Sequence, residues 1–413
     1  MPQGRMENIM KVTFDKAQLI AAIAPAAGIS QIKNTLTTIE GLLFECPPDP
    51  RMGDFEGDPT NMCRISAFDL EKGLRTSLEC TIHKEGKYVI SGSKILQIVR
   101  ALPDGEVTIE IDAGLRAVIS GGNSSFEISV APGEDFPTMP MFKGDRRYQI
   151  PQHTLRRMIG ETIFAAAQND QRAALNGELL KIGGGEMTLV ACDINRLSCT
   201  SEEVSADIPE CEIIIPGKFL SELTRMLKDS EDETTMIIGN KHIIFKMDSI
   251  YFFCRMIESK YLDYERALPR GFETEAYLSP DDLRGALERA SIISEDKLGG
   301  NSKAQVKFVV GGDKIDISAV STSGSIFETV PAAITGEELT IGFNCRYLLD
   351  ALRAIPDSVK TLRIGFNGPH KGICIEPSYG STFVKLSDAR GGAEGDEENQ
   401  NFLHFVMPRR LNG

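Results

Sequence analysis

The sequence predicts an α+β chain built from three tandem, similar domains. Three features recur in the same order along its 413 residues: a short strand that runs into a helix, a strand that ends near an alanine, and a second helix that carries an arginine. The period is nearly constant at about 130 residues, which is an ordinary domain size. Because all three copies share the order, we interpret the chain as an internal triplication.

The first strand and helix of each copy are anchored by a leucine seven residues after a strand residue: Leu19 after Val12, Leu155 after Tyr148 and Leu283 after Ala276. Asp15 and Ser279 are predicted N-caps, because a short side-chain oxygen can accept a hydrogen bond from the first helical turn. Pro151 is predicted at a helix start, where its missing N–H costs nothing.

The second helix has the pattern apolar-x-x-apolar-x-Arg-x-apolar, and its arginines lie 125 (225 − 100) and 128 (353 − 225) residues apart at Arg100, Arg225 and Arg353. Between the two helices, strands are predicted to end at 67–69, 191–193 and 319–321. Alternating apolar residues predict further strands over 106–111, 116–120 and 125–130, and then over 178–182, 187–192, 212–215, 235–238, 242–247 and 250–256.

These elements divide the chain into a polar leader over 1–9, which we expect to fray, and domains over 10–140, 141–270 and 271–413. The stretch 46–61 is rich in Pro, Gly and Asp and predicts a long loop in the first domain. The acidic, Gly-rich stretch 388–401 predicts a mobile loop between the last two strands.

Composition favours an intracellular protein. No stretch approaches the roughly 18 apolar residues of a membrane span, and the nine cysteines are scattered without a CxxC pair. This usage is typical of reduced thiols, so we expect a cytoplasmic protein without a structural metal site. The net charge of −14 argues against a chain that simply coats nucleic acid, although one local surface can differ from the average.

No catalytic motif is present. The five histidines are dispersed, and no GxSxG, HExxH or Walker sequence occurs. We therefore expect a binding or scaffolding protein without a cofactor, and not an enzyme.

The predicted helices carry more positive than negative charge, with 12 basic and 7 acidic residues over the six segments. For a single helix this would be an ordinary solvated face. Shared by all copies of a threefold repeat, the bias predicts that the helices face one polyanion. The basic residues are Lys16, Lys94, Arg100, Arg156, Arg157, Lys218, Arg225, Lys228, Arg284, Arg289, Arg346 and Arg353.

Five motifs give the chain a resemblance to a known family over residues 10–411. They are Arg172-Ala-Ala-Leu175-Asn176-Gly177, Cys192-Asp193-Ile-Asn-Arg196-Leu197, Asp263-Tyr264-Glu-Arg266 with Leu268-Pro269, Ile341-Gly342-Phe343-Asn344 before Tyr347, and the ending Val406-Met407-Pro408-Arg409-Arg410-Leu411. Together they resemble the sliding clamp of bacterial replication, the beta subunit of DNA polymerase III. The chain departs from the family pattern at Ala173 and Ala174, where tyrosines are common, at Ile194-Asn195, where Gly-His is usual, and at Arg409, where Met is customary.

The resemblance implies a DNA clamp fold, in which each domain has two helices on an inner face and antiparallel sheets outside, and a homodimer closes into a ring. Such a ring encircles duplex DNA without reading its sequence, slides along it and tethers the replicative polymerase. Its implied partners are a clamp loader and other proteins with a clamp-binding motif. A ring lined by basic helices fits this role independently, because it contacts phosphates from every side.

The resemblance also implies three sets of site residues. A peptide groove between the second and third domains would have an apolar floor and a polar rim made by Arg172, Leu175, Arg196, Leu197, Leu262, Ala267, Tyr347, Phe405, Met407 and Arg409. DNA would be faced by Lys94, Arg100, Arg156, Arg157, Lys218, Arg225, Arg284, Arg346 and Arg353. The subunit interface would join Leu102, Phe126 and Ile128 to Ile292 and Ile293.

Three alternatives stay open from the sequence. The groove leucines Leu175 and Leu197 could be ordinary core residues, since leucines are so often buried for packing. The chain could be a repeat scaffold that binds peptides or carbohydrate and never closes a ring, which its molar mass in solution would reveal. It could also be a nucleic-acid enzyme, which would show metal-dependent turnover of a DNA substrate.

Overall fold

The computed structural model describes residues 8–29, 41–49, 61–140, 146–205, 209–294, 304–378 and 401–411. These residues form two compact units. The first lies within Met1–His153 and Arg225–Met256, and the second within Thr154–Thr224 and Ile257–Gly413. Most of the predicted leader, of the loop over 46–61 and of the loop over 388–401 lies outside the described residues.

The six predicted helices are confirmed, as α1 Lys16–Ile29, α2 Gly92–Ala101, α3 Gln152–Thr162, α4 Gly217–Met226, α5 Pro280–Ser294 and α6 Cys345–Arg353. The predicted caps form, since Asp15 Oδ1 accepts a hydrogen bond from the Gln18 N–H at 3.0 Å and Ser279 Oγ accepts one from the Asp282 N–H at 3.3 Å. The prediction for Pro151 was wrong by one residue. Pro151 ends a strand and pairs with Glu233, so the helix begins at Gln152.

The first unit contains two antiparallel sheets. One has the order β5-β1-β7-β8-β9, and the other β10-β6-β2-β3-β4-β18-β17-β16-β11. Helices α1 and α2 pack against each other, and α1 also covers β3 and β4. The strands of this unit are β1 Asn8–Asp15, β2 Gly41–Cys46, β3 Met62–Phe68, β4 Lys72–Glu79, β5 Thr81–Lys84, β6 Gly86–Ser91, β7 Glu106–Asp112, β8 Arg116–Gly121, β9 Ser124–Ser129, β10 Ala131–Pro132, β11 Arg146–Pro151, β16 Glu233–Ile238, β17 His242–Met247 and β18 Ile250–Arg255.

The second unit repeats this plan, with sheets ordered β15-β12-β13-β14-β27-β26-β25-β19-β23 and β22-β21-β20-β24. Helix α5 packs on α6 and on β21 and β22. Its strands are β12 Gly177–Gly183, β13 Glu186–Cys192, β14 Arg196–Glu203, β15 Cys211–Pro216, β19 Thr274–Leu278, β20 Gln305–Gly311, β21 Lys314–Ser321, β22 Gly324–Pro331, β23 Ala333–Gly336, β24 Leu339–Asn344, β25 Leu362–Phe366, β26 Ile373–Pro377 and β27 Asn401–Val406.

The repeated apolar positions form the cores. Leu19, Leu155 and Leu283 are all buried, as are the second-helix residues Ile95, Leu220 and Leu348. The triplicated pattern therefore marks equivalent packing positions, and the arginine of each second helix is left at the surface.

Strand β14 was not predicted, because Leu197 and Cys199 are its only apolar residues. Its polar residues include Ser198, Thr200 and Ser201. These three are nevertheless buried. Ser198 Oγ donates to the Glu161 carbonyl oxygen at 2.6 Å, and Thr200 Oγ1 donates to Glu161 Oε2 at 2.5 Å. Hydrogen bonds to a buried carboxylate and to backbone thus replace apolar contacts in this part of the core.

A second carboxyl, Glu178 on β12, is completely buried and accepts a hydrogen bond from Thr162 Oγ1 at 2.8 Å. Burial disfavours the charged form and raises the pKa of Glu178 to about 8, against a weaker opposing effect of the Thr162 bond. Glu178 is therefore mostly protonated in the folded chain at neutral pH.

All nine cysteines are free thiols, and eight of them are buried. Burial raises the pKa of Cys199 and Cys46 well above the ordinary range. Only Cys80 is partly accessible, and its hydrogen bond with Cys46 is the main cause that raises the pKa of Cys80.

We expect Glu178→Gln to change how stability depends on pH. The folded-state pKa lies above the unfolded value, so this glutamate's contribution is complete below about pH 4.5 and is lost as the pH rises through about 8. Gln does not titrate. The free energy of unfolding of the variant should thus rise relative to the parent between pH 5 and 8, by at most about 1.4 kcal/mol per pH unit.

Urea unfolding at several pH values measures this difference, with the exposed Glu212→Gln on the neighbouring strand β15 as the matched control. Parallel pH curves for parent and Glu178→Gln would show that the buried carboxyl does not hold its proton.

Candidate functional site

The second unit contains a cavity of about 560 Å³. Three segments build it: the chain after the short 3₁₀ turn Tyr264–Arg266, the connection between β25 and β26, and the end of β27. Its lining consists of Arg266, Ala267, Leu268, Pro269, Arg270, Gly271, Asn367, His370, Lys371, Gly372, Phe405 and Met407. The lining therefore combines apolar residues with positively charged ones.

The cavity depends on the pairing of β14 with β27. In this ladder Leu197 lies opposite Phe405 and Arg196 opposite Val406. The ladder continues past the strand, because the Met407 N–H donates to the Asn195 carbonyl oxygen at 2.8 Å. The Phe405 ring lies so close to Gly372 that a Cβ there would come within 2.2 Å of it, so only glycine fits beside this ring.

The groove residues predicted from the resemblance divide into two sets. Ala267, Phe405 and Met407 line the cavity. Leu175 and Leu197 are 4% and 2% exposed and belong to one hydrophobic cluster, against which Leu262 and Phe405 also pack. Both leucines therefore pack in the core of this unit, the alternative left open by the sequence, and Leu197 lies directly opposite Phe405. Their role in the peptide groove stays a prediction.

Arg196 was expected on a polar rim, but its side chain is only 12% exposed. Its guanidinium pairs with Asp193 at 2.9 Å and with Asp350 at 2.6 Å. It also lies 4.7 Å from the centre of the Tyr347 ring and 5.4 Å from that of Phe164. Arg196 thus ties helix α6 to the start of β14, and Tyr347 is held in the same stack.

The turn before Arg196 contains a strained residue. Ile194 has φ of 81°, which a β-branched side chain rarely adopts and which glycine, usual here in the family, adopts freely. Asp193 Oδ1 stabilises the turn by accepting hydrogen bonds from the N–H groups of Asn195 at 3.0 Å and Arg196 at 3.2 Å. The side chain of Ile194 is consequently held in solvent.

Two further predicted rim residues are exposed and lie outside the cavity lining. Arg172 pairs with Asp170 at 3.0 Å, and this bond holds the pKa of the Asp170 carboxyl below its usual range. The Arg409 N–H donates to the Gly342 carbonyl oxygen at 2.7 Å, and Gln305 Nε2 donates to the Arg410 carbonyl oxygen at 2.8 Å. The C-terminal segment is therefore fixed against β24 and β20.

The sequence did not predict that Arg270, His370 and Lys371 line one cavity. These residues belong to irregular connections and to no motif, so only the fold brings them together. Within the described part of the chain, no three His, Cys, Asp or Glu side chains form a possible metal-binding group.

The basic helix residues differ in whether a described acidic residue forms an ion pair with them. Arg157 pairs with Glu161 and Glu202, Arg284 with Asp281, and Arg353 with Glu288 at 3.4 Å. The remaining predicted DNA-facing residues are exposed and make no ion pair with any residue that the structure describes: Lys94, Arg100, Arg156, Lys218, Arg225 and Arg346.

The residues expected at a subunit interface lie near two sheet edges. Strand β9 is an edge of its sheet and is exposed over nearly its whole length, with Phe126 39% exposed and Ile128 partly so. Leu102 is buried inside its own unit, and its place in a subunit contact stays a prediction.

In the second unit, Ile292 is exposed on α5, whereas Ile293 packs partly against its own core. Strand β22 is the edge beside them, and its exposed Phe327 was missed by the sequence analysis. An aromatic residue on a predicted edge strand is the signal that could have identified it.

Comparison with known proteins bears on both units. Three family models match consecutive segments: the N-terminal domain of the DNA polymerase III beta subunit over residues 10–140, its central domain over 149–263 and its C-terminal domain over 265–387. None of the described helices is both long enough and apolar enough to cross a membrane.

Individual relatives agree with these models. The beta sliding clamp of Pseudomonas aeruginosa is 31% identical over 409 residues, covering 97% of this chain and all of that protein. The Bacillus subtilis beta sliding clamp is 27% identical over 382 residues, covering 91% and 98% of the two chains. The crystal structure of a Pseudomonas aeruginosa sliding clamp bound to griselimycin has a TM-score of 0.82 and 26% identity, and the match covers 97% of this chain and all of that one. The chain therefore belongs to the DNA polymerase III beta subunit family, the bacterial sliding clamps, which are replication processivity factors and not enzymes.

Proposed function

We propose that two copies of this chain close into a ring of six domains around duplex DNA, and that the ring slides along the DNA while holding the replicative polymerase. The domains of each copy would span residues 10–140, 141–270 and 271–413. A clamp loader would place the ring on DNA in the cytoplasm, and other proteins with a clamp-binding motif would share its peptide site. The observation that carries the proposal is the pair of unpaired sheet edges, β9 and β22, which both expose apolar side chains.

An exposed edge strand with apolar residues promotes association unless another chain covers it. Pairing of β9 from one copy with β22 of the second would bury Phe126 against the surface formed by Ile292 and Phe327. The contact joins different surfaces, so it is heterologous, and two such contacts close a dimer.

The charged residues beside these edges are already paired within the chain. Arg116 Nη1 bonds Glu127 at 3.0 Å, and Arg289 makes two bonds to Glu328, at 2.7 and 2.8 Å. The interface should therefore depend on apolar burial more than on ion pairs between subunits.

The six exposed, unpaired cations on α2, α3, α4 and α6 would contact DNA phosphates. Each such contact is weak and is screened over about 8 to 10 Å in physiological salt. Six contacts of this kind explain sliding, because none fixes a position on the sequence. Retention must then come from the closed ring.

For the partner site, we propose that a short extended peptide places an apolar anchor against Ala267, Phe405 and Met407. A disordered peptide loses conformational entropy on binding, which offsets part of the burial energy and leaves a weak, exchangeable contact. Arg196 and Tyr347 would hold the sheet and helix beneath the peptide, and Arg172 and Arg409 would lie at the exposed rim beside its polar groups.

The interface proposal predicts that Phe126→Ala combined with Ile292→Ala gives folded monomers. Burying one such side chain contributes about 1.5 to 3 kcal/mol, so the pair should weaken each contact by at least about a hundredfold. Sedimentation velocity at nanomolar concentration measures the mass. Leu70→Ala is the control and should stay dimeric, because Leu70 is an exposed apolar residue on a turn, 50% exposed against 39% for Phe126 and 75% for Ile292. A double variant that remains a dimer would contradict the interface, and a monomeric parent would favour the scaffold without a ring.

The ring proposal predicts that a loaded clamp stays on circular DNA in moderate salt and leaves after the circle is cut. The expected loss is nearly complete, because a linear end removes the topological restraint while every phosphate contact remains. Gel filtration of labelled clamp with plasmid, before and after one restriction cut, measures retention. Equal retention on both forms would indicate a specific binding surface.

The peptide-site proposal predicts that Met407→Ala weakens binding of a fluorescent polymerase-derived peptide roughly tenfold, since losing about 1.4 kcal/mol of apolar burial changes the Kd by that factor. Leu411→Ala is the matched control, because Leu411 is 37% exposed against 38% for Met407 but does not line the cavity. Fluorescence anisotropy gives both Kd values. Equal losses in the two variants would place the peptide elsewhere.

A further inference from the structure

The cavity beside Phe405 has a strongly cationic side. Its lining contains Arg266, Arg270, Lys371 and His370 and not one carboxylate. The chain as a whole carries a net charge of −14, so this local excess of positive charge runs against the average. Such a contrast is the electrostatic signature of a surface that receives an anion.

Two of these charges have no counter-ion among the residues that the structure describes. Arg270 and Lys371 are exposed and form no ion pair with any described residue. Arg266 differs, because its Nε bonds Asp263 at 2.9 Å and part of its charge is compensated. The available positive charge is therefore concentrated on Arg270 and Lys371.

The apolar side of the same cavity is formed by Ala267, Pro269, Phe405 and Met407. A ligand that fills the whole cavity must accordingly be amphipathic over a short distance. A peptide with an apolar anchor beside acidic residues meets this requirement, because side chains of opposite character can follow one another along an extended chain.

We propose that this cavity selects partner peptides in which Asp or Glu residues flank the apolar anchor, and that Arg270 and Lys371 receive those carboxylates. The inference rests on the proposed function, since it assigns specificity to the same peptide site. A clamp with several partners would then bind most tightly the partner whose peptide has the most acidic residues beside its apolar anchor.

A peptide fits better than single-stranded nucleic acid. Nucleic acid needs a positively charged groove that follows successive phosphates, together with exposed aromatic faces for stacking. Here the cavity lining contains only two cations without an ion pair to a described residue, Arg270 and Lys371, and the Phe405 ring packs against Gly372. An acidic cluster of two or three residues matches this pair of cations in size.

The test uses the full-length chain and three versions of the polymerase-derived peptide: its own sequence, the same anchor flanked on both sides by Asp-Asp-Glu, and the same anchor flanked by Asn-Asn-Gln. At low salt, the parent should bind the acidic version roughly threefold to tenfold more tightly than the neutral one, because exposed ion pairs are individually weak. The preference should disappear at about 1 M salt, where the Debye length falls to about 3 Å.

Arg270→Glu combined with Lys371→Glu should abolish this preference while leaving the Kd of the neutral version within about twofold, a range smaller than one exposed ion pair can contribute. Lys241→Glu combined with Lys360→Glu is the matched control. It makes the same change in net charge at exposed positions outside the cavity lining and should keep the preference.

The inference would be overturned if the Arg270/Lys371 variant kept the preference, or if the control variant lost it. It would also be overturned if the Arg270/Lys371 variant bound the acidic and neutral peptides equally more weakly. A fourth contrary result is that this variant binds a labelled 15-nucleotide oligothymidine more weakly while its peptide preference does not change. Failure of the parent to bind any version would instead overturn the proposed peptide site, and the two failures are thus distinguishable.

Discussion

The backbone pairing of β14 with β27 determines the geometry of the candidate site. These strands are about 200 residues apart in sequence, and their ladder runs from Arg196 opposite Val406 to Ser201 opposite Asn401. It joins four strands of the central repeat and five of the last into one nine-stranded sheet. Without this ladder, the turn at Asp193–Arg196 and the C-terminal segment after Val406 would have no fixed relation. A site built on such a sheet is positioned more precisely than one built on loops alone.

Side chains near the start of β14 reinforce the ladder. Arg196 contacts two aromatic rings and pairs with two carboxylates, Asp193 and Asp350, although these side chains remain partly exposed. Ser198, two residues further along the same strand, donates to the backbone of α3. The surface proposed to bind a peptide is consequently held in place in the free chain, so a bound peptide would lose mainly the conformational entropy of its own segment. That arrangement suits rapid exchange between partners.

The sequence predicts features that recur in each repeat better than features built from segments that are distant in sequence. The helices, their caps and the anchoring leucines could be predicted from the internal repeat, because equivalent residues pack in the same way in all three copies. Strand β14 escaped prediction since most of its residues are polar, although several of them are buried. The site residues stay predictions. An apolar residue type suits a contact surface, yet neighbours that are distant in sequence bury Leu175, Leu197 and Leu102. Arg270 and Lys371 are a hundred residues apart, so no local pattern could have revealed that they line one cavity.

The burial of the thiols makes this protein convenient for site-specific labelling. Eight of its nine cysteines are inside the cores, and burial raises the pKa of Cys46, Cys63 and Cys199, so few of them exist as the reactive thiolate. Cys80 is the only partly accessible one, and its bond with Cys46 raises the pKa of its thiol as well. A cysteine introduced at an exposed position would therefore react with a maleimide dye well before the native ones. Single-molecule fluorescence experiments on DNA could thus use a labelled chain in which the eight buried cysteines are not replaced.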